Sequence, residues 1–336
     1  LALAGLVAAA LPASLLLWWL RGEPWSWSSA ALIFIEVLLL LALLARTPPG
    51  TALPDSPVQH RFTTGRRFPT FAPTNVIPEA EQINLGFLLM PYRDRLLTRE
   101  QARRVSDFTL EIYAEMEEDV HFRRLGSAMG WAYAELIGRP FDVGHYYLYV
   151  PESRGEGPLP AIVFLHGSAG NFKAYTWVWS RLAEELGYVI IAPSYGFGNW
   201  RRAGGTRAVL DALEDAGTVV EIDEERLYLA GLSNGGLGVS QLAEAAPEHF
   251  RGLILISPVL ESDFRPMWWE RPVLVVTGEE DRRVPERYIA DEVRFLRAGE
   301  VDVTYVPYPD EDHFLFFSQP ESVLSDVARW LAAVEE

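Results

Sequence analysis

The sequence predicts an α/β protein, with a mostly parallel sheet carrying helices on both faces, preceded by an N-terminal transmembrane helical hairpin and a small helical segment. Three observations carry that expectation. Seven short apolar runs follow one another from His145 onward: HYYLYVP, PAIVFLH, YVIIAPS, RLYLAGLS, GLILISP, PVLVVTG and VDVTYVP. Helical stretches separate most of them, and near-continuous apolar strands alternating with helices mean a sheet buried on both faces. Two long apolar runs open the chain, well before this pattern begins.

Leu1 to Leu20 carries no charge. Twenty helical residues span about 30 Å, the thickness of a bilayer core. Ser28 to Ala45 is a second apolar run, interrupted only by Glu36, and Trp18, Trp19, Trp25 and Trp27 cluster where the two runs meet. Such a cluster fits an interfacial aromatic belt, so residues 1–46 are expected to form a membrane-anchoring hairpin. The alternative is a signal peptide followed by one anchor. Glu36 at mid-membrane is either a functional group or an acid hydrogen-bonded to the neighbouring helix. Arg46, Arg61, Arg66 and Arg67 follow the second run, against Arg21 alone in the turn. For an integral membrane protein, that bias favours a C-terminal domain in the cytoplasm, with a periplasmic or extracellular domain as the alternative.

Residues 47–91 are rich in Pro, Thr and Gly and read as a linker or strap. Residues 92–140 read as a helical segment. Thr98-Arg-Glu-Gln101 is a capping box, and Val105, Phe108, Ile112 and Met116 continue it at helical spacing to about Val120. A second helix, roughly Leu125 to Ile137, stops at Gly138-Arg-Pro140. The arginines 93, 95, 99, 103 and 104 fit lipid headgroups or, more simply, a solvated helix face. Residues 141–336 hold the strands, with helices at Tyr175–Leu186, Thr206–Ala216, Leu237–Ala245 and Arg287–Ala298 and a closing amphipathic helix at Glu321–Val334.

Composition narrows the chemistry. Lys plus Arg is 29 and Asp plus Glu is 46, a formal charge of −17 that repels phosphate backbones and argues against nucleic acid. With no cysteine in the chain, thiolate nucleophiles, thiolate metal sites and disulfides are excluded. The six histidines, at 60, 121, 145, 166, 249 and 313, show no metal-ligand spacing, so a histidine-based metal site is not expected.

Chemistry concentrates where strands end, which is where ligands sit in parallel sheets. Gly231-Leu-Ser233-Asn-Gly235 follows the run RLYLAGLS and opens a helix, the G-x-S-x-G pattern of a nucleophile elbow. A serine hydroxyl needs a neighbouring base, and a sharp turn between small residues presents it to one. His166-Gly-Ser168-Ala-Gly-Asn171 follows PAIVFLH, and there the N–H of Ser168 with that of Asn234 would make an oxyanion hole. His166 itself reads as a structural loop residue. Glu279, Glu280 and Asp281 follow PVLVVTG and compete to orient a base, with the offset favouring Asp281. His313, in Asp310-Glu-Asp312-His313, is the only histidine after both the serine and the acid, and it completes the order Ser, Asp, His.

From about Tyr146 onward the chain resembles an α/β-hydrolase, on HGSAGN at 166–171, GLSNGG at 231–236, GEEDRRVP at 278–285 and DEDH at 310–313. Within that superfamily it is similar to the esterase branches of the dienelactone-hydrolase-like or polyester-depolymerase-like kind. The resemblance implies an α/β-hydrolase fold and a serine esterase, with Ser233 as nucleophile, His313 as base and then acid, Asp281 as its orienter, and Ser168 and Asn234 as oxyanion donors. It implies no cofactor. The expected substrate is a small-molecule or lipid ester. Tyr195, Phe197 and Trp200, with Met267, Trp268 and Trp269, either wall an apolar acyl pocket or pack beneath the loops as core. Two other functions fit less well. A prolyl-oligopeptidase-like serine peptidase uses the same triad, and a membrane-tethered binding protein would retain only the fold.

Overall fold

The structure, a computed structural model, describes residues 14–15, 27–153, 155–202, 204–260 and 271–336. Each of the seven apolar runs forms a strand: β2 (His145–Tyr149), β3 (Leu159–Leu165), β4 (Val189–Pro193), β5 (Ile222–Leu232), β6 (Gly252–Ile256), β7 (Val273–Gly278) and β8 (Val303–Tyr308). An eighth strand, β1 (Val58–Phe62), joins them in one sheet of order β1-β2-β4-β3-β5-β6-β7-β8. β1 and β2 pair antiparallel, as do β2 and β4, and every pairing from β4 through β8 is parallel.

Alternation along each strand divides the core in two. In β3, Ile162 and Phe164 join the core on one face, while Ala161, Val163 and Leu165 join the core on the other. The second face is covered by α6 (Gly205–Gly217), α7 (Gly235–Ala245) and α8 (Glu286–Ala298). The first is covered by α5 (Lys173–Leu186) and α9 (Pro320–Glu335), and also by α2 (Glu79–Leu89), α3 (Arg99–Glu118) and α4 (Met129–Leu136) from the N-terminal part of the chain. β2 to β7 are buried along nearly their whole apolar length, as a sheet sandwiched between helices requires.

The capping box forms as its spacing dictates. The Gln101 N–H donates to Thr98 Oγ1 at 3.1 Å, and the Thr98 N–H donates to Gln101 Oε1 at 3.1 Å. The second predicted helix is shorter than its pattern and begins only at Met129, after a 3₁₀ turn at Phe122–Arg124.

Two expectations are corrected. The strap contains β1, which pairs with β2 from Val58 opposite Tyr149 to Phe62 opposite His145. His60 and Phe62 enter a ring cluster with Trp131 and His145. Arg61, on the other side, donates from Nε to Asp215 at 2.8 Å. Farther along, the Phe68 ring lies between Gly50 and Gly126, and a Cβ at either would come within 1.9 Å of it. The strap is therefore part of the domain's packing. Its strand, VQHRF, is half-buried beyond Val58 and mostly polar, so it carries no apolar run of its own.

The membrane hairpin and the integral-membrane location are also overturned: among the described residues, no helix is long and apolar enough to cross a membrane. The second apolar run forms α1 (Trp27–Arg46). Glu36 interrupts its apolar run, Ser28 to Ala45, in mid-helix, where a carboxylate is costly in a bilayer core. Glu36 is buried and accepts a hydrogen bond from Ser14 Oγ at 2.8 Å. The first run lies outside the described residues apart from Ser14 and Leu15.

Candidate active site

β5 ends in the elbow. Ser233 has a φ of 51°, in the left-handed region. That region costs a non-glycine residue about 1–2 kcal/mol. The Ser233 N–H donates to the Ile256 carbonyl at 3.0 Å, which ties the turn to β6. The glycines around it are sterically required. A Cβ at Gly235 would sit 2.1 Å from the Leu165 carbonyl oxygen, and one at Gly231 would sit 2.7 Å from the Gly235 backbone. The strand, the elbow and the end of β3 thus close on one another with no space for side chains.

The structure brings Ser233, His313 and Asp281 together, although they are far apart in sequence. Ser233 Oγ lies 2.8 Å from His313 Nε2, and His313 Nδ1 lies 2.7 Å from Asp281 Oδ2. Asp281 is 4% exposed and His313 is 9% exposed. Asp281 Oδ1 accepts the backbone N–H groups of Arg283 at 2.8 Å and Val284 at 2.9 Å, which leaves Oδ2 to face the imidazole. A carboxylate acceptor at Nδ1 places the proton there, so Nε2 is the lone-pair nitrogen that faces the serine hydroxyl. The competing Glu279 and Glu280 are exposed. The loop bearing His313 reaches the acid loop by crossing over Gly278, where a Cβ would lie 2.2 Å from the Glu311 carbonyl oxygen.

The loop after β3 lies against the elbow: a Cβ at Gly167 would be 3.3 Å from both Ser233 Cβ and the Leu232 carbonyl oxygen. Ser168 is the exposed residue that follows, and Asn234 N-caps α7. Among the described residues, neither the Ser168 nor the Asn234 backbone N–H has an acceptor. His166 is buried beneath this loop. Its Nδ1 faces the Gly167 carbonyl at 2.8 Å, and its Nε2 accepts the Tyr195 N–H at 3.1 Å. Burial lowers its pKa to about 4, so the ring is neutral and holds two loops together.

The aromatic residues are divided. Tyr195 is 2% exposed and Trp200 is fully buried, both in the core on the α6–α7–α8 face. The Trp200 indole donates to the His166 carbonyl at 2.9 Å and its ring stacks on Tyr195. These two therefore support the loops from below and do not wall a pocket. Phe197 keeps partial exposure, and Met267, Trp268 and Trp269 lie outside the described residues.

The N-terminal part of the chain touches the loops that follow β3, β4, β7 and β8, which its sequence did not reveal. Gln101 Nε2 donates to Asp312 Oδ2 at 3.1 Å. Arg104 Nη2 reaches both oxygens of Glu311, at 3.3 and 3.4 Å. Asp94 pairs with Arg283, whose guanidinium lies over the Phe314 ring. Glu135 on α4 accepts the Phe197 N–H at 2.7 Å and pairs with Arg202 at 2.6 Å. The left-handed Gly170 packs so closely that a Cβ there would lie 2.9 Å from Ala132 Cβ. Among the described residues, no group of three or more His, Asp or Glu side chains is spaced to hold a metal ion.

Known proteins match the chain in part. A family profile described as serine aminopeptidase, S33, matches residues 156–271, a span that includes Ser168 and Ser233 but ends before Asp281 and His313. Acylamino-acid-releasing enzyme of Rattus norvegicus is 25% identical over 217 residues, 49% of this chain and 30% of that protein. The uncharacterized protein YfhR of Escherichia coli O157:H7 is 29% identical over 116 residues, 32% of this chain and 41% of that protein. The chain thus spans well under half the length of these curated relatives. Among solved structures, a thermostable esterase is similar at 22% identity and a TM-score of 0.48, covering 56% of this chain and 58% of that one. With its eight-stranded, mostly parallel sheet, its glycine-walled serine elbow and its profile match over residues 156–271, the chain has an α/β-hydrolase fold and is similar to serine hydrolases.

Proposed function

We propose that the protein cleaves carboxylic esters through an acyl-enzyme formed on Ser233. One observation carries the reading: a strained serine hydroxyl 2.8 Å from a histidine nitrogen whose other nitrogen is 2.7 Å from a buried carboxylate. His313 Nε2 takes the serine proton as Oγ attacks the ester carbonyl. The backbone N–H groups of Ser168 and Asn234 receive the resulting oxyanion. Protonated His313 then gives the proton to the leaving alkoxide, and the acyl group stays on Oγ. Water, deprotonated by the same nitrogen, releases the acid and restores the serine. Asp281 keeps the imidazole in the required tautomer and stabilises its cationic form. One oxyanion donor is worth about 10²–10³ in rate.

The formal charge of −17 disfavours strongly anionic substrates, so an uncharged small-molecule or lipid ester fits best. The decisive test is a panel of acyl esters of graded chain length, run with the protein and with Ser233→Ala, alongside labelling by a fluorophosphonate. Label at Ser233 and loss of hydrolysis in the variant are expected. An unlabelled protein, or a variant as fast as the parent, defeats the assignment.

A second reading, a serine peptidase, draws on the profile's description and on the similarity to acylamino-acid-releasing enzyme. Parallel assays on an N-acyl-aminoacyl anilide and the matched ester separate the two. Comparable kcat/KM on the anilide favours the peptidase.

A further inference from the structure

α3 and the segment just before it lie outside the part of the chain that bears the reacting residues, yet they contact both loops that carry Asp281 and His313. We propose that Asp94, Gln101 and Arg104 are positioning residues that hold those two loops in register with Ser233. This deepens the reading of Ser233, His313 and Asp281 as the reacting groups and rests on it.

The contacts converge on the residues flanking the imidazole. Gln101 holds Asp312, the residue before His313, and the other oxygen of Asp312 accepts the Phe314 N–H at 2.9 Å. Arg104 meets Glu311, a carboxylate only 7% exposed that also accepts Ser318 Oγ at 2.6 Å and Gln319 Nε2 at 2.8 Å. The backbone of Glu311 is itself a strut, because its carbonyl accepts the Glu280 N–H at 2.9 Å, beside Asp281. Asp94 grips Arg283, whose own N–H holds Asp281 Oδ1 and whose guanidinium covers Phe314, the residue after His313. Phe314 in turn meets Phe87 of α2 edge-on at 5.9 Å.

Each neighbour of His313 in the chain is therefore held by a residue from the N-terminal part. Among the described residues, no strand follows this loop to anchor its far end in the sheet. Serine attack needs the imidazole nitrogen within hydrogen-bond reach of Oγ, and a displacement of about 1 Å is enough to reduce a rate by about 10². The partners are charged or polar and partly exposed. Their removal therefore loosens the loop without opening the core.

The test uses the full chain with Asp94→Asn, Gln101→Ala and Arg104→Met, singly and combined. Arg104→Lys serves as the conservative variant, and Glu111→Gln, an exposed residue on the same helix, as the control. Four quantities are measured: the rate of fluorophosphonate labelling, kcat and KM on a short-chain p-nitrophenyl ester, the thermal midpoint, and the far-downfield proton signal of His313 Nδ1–H. Single variants are expected to lower kcat and labelling by about three- to tenfold and the triple variant by about 100-fold, with KM held within about twofold. The downfield signal should broaden or move in the triple variant, Arg104→Lys should recover most of the rate, and Glu111→Gln should match the parent. Unchanged labelling and kcat in the triple variant overturn the proposal alone, as do losses that appear only with a lowered thermal midpoint and an unmoved downfield signal. A parent protein that does not label at Ser233 overturns the reading of the site, and this proposal with it.

Discussion

Asp281→Asn isolates what the buried acid does, because the structure dictates how the new amide must sit. Asp281 Oδ1 accepts two backbone N–H groups, from Arg283 and Val284, at 2.8 and 2.9 Å. An asparagine can satisfy both only by placing its carbonyl oxygen there. Its NH₂ group then takes the place of Oδ2, which lies 2.7 Å from His313 Nδ1. A donor now stands where an acceptor was. The imidazole answers by moving its proton to Nε2, which donates toward Ser233 Oγ and has no lone pair to take the serine proton. The hydrogen bonds survive, with those of the imidazole reversed in direction, so the fold should be undisturbed while the base is lost. Wrong-tautomer triads lose about 10⁴ in kcat, or about 5.4 kcal/mol at about 1.36 kcal/mol per decade. Ester hydrolysis and fluorophosphonate labelling, read beside the thermal midpoint, check this. A loss smaller than about tenfold, or a loss matched by a collapse of the midpoint, refutes the reasoning.

Three further outcomes are expected. Burial holds His166 down to about 4 and His60 down to about 3, so both stay neutral in the folded chain while the unfolded chain protonates them from about pH 6.5 downward. The unfolded state then binds more protons, so stability is full above about pH 6.5 and falls toward about pH 4 by up to about 1.4 kcal/mol per pH unit for each histidine. Urea unfolding across that range should show the slope, and a flat profile would contradict it. Glycine adopts the φ of 51° found at Ser233 without strain. Ser233→Gly should therefore abolish hydrolysis and raise stability by about 1 kcal/mol, and calorimetry showing no gain would dismiss the strain argument. A Cβ at Gly235 meets the Leu165 carbonyl at 2.1 Å, whereas Gly217 has open space around it. Gly235→Ala should cost more than about 3 kcal/mol or prevent folding, and Gly217→Ala should be tolerated; equal midpoints for the two would count against the packing reading.

Much of this protein was legible in the residues themselves. Seven apolar runs announce strands because a strand buried on both faces must be apolar throughout, and that signal is local. The elbow announces itself because glycine is required where backbone meets backbone. His313 was marked by order alone, and Asp281 by its offset from a strand end. What local pattern could not supply was anything that depends on a distant partner. β1 is a strand because β2 lies beside it. Tyr195 and Trp200 are support rather than lining because the sheet face they meet is core. Hydropathy alone predicts a membrane hairpin from the apolar runs at the start, whereas among the described residues no helix is long and apolar enough to cross a bilayer.

The sequence by itself determined which elements form and which residue types could react, because periodicity, capping and glycine placement act over a few residues. Only the tertiary structure decided how Ser233, His313 and Asp281 meet, and that Asp94, Gln101 and Arg104 stand behind them. Those last contacts join residues about 190 to 210 positions apart, and hydrogen bonds at such separations exist only once the sheet has set where each loop ends.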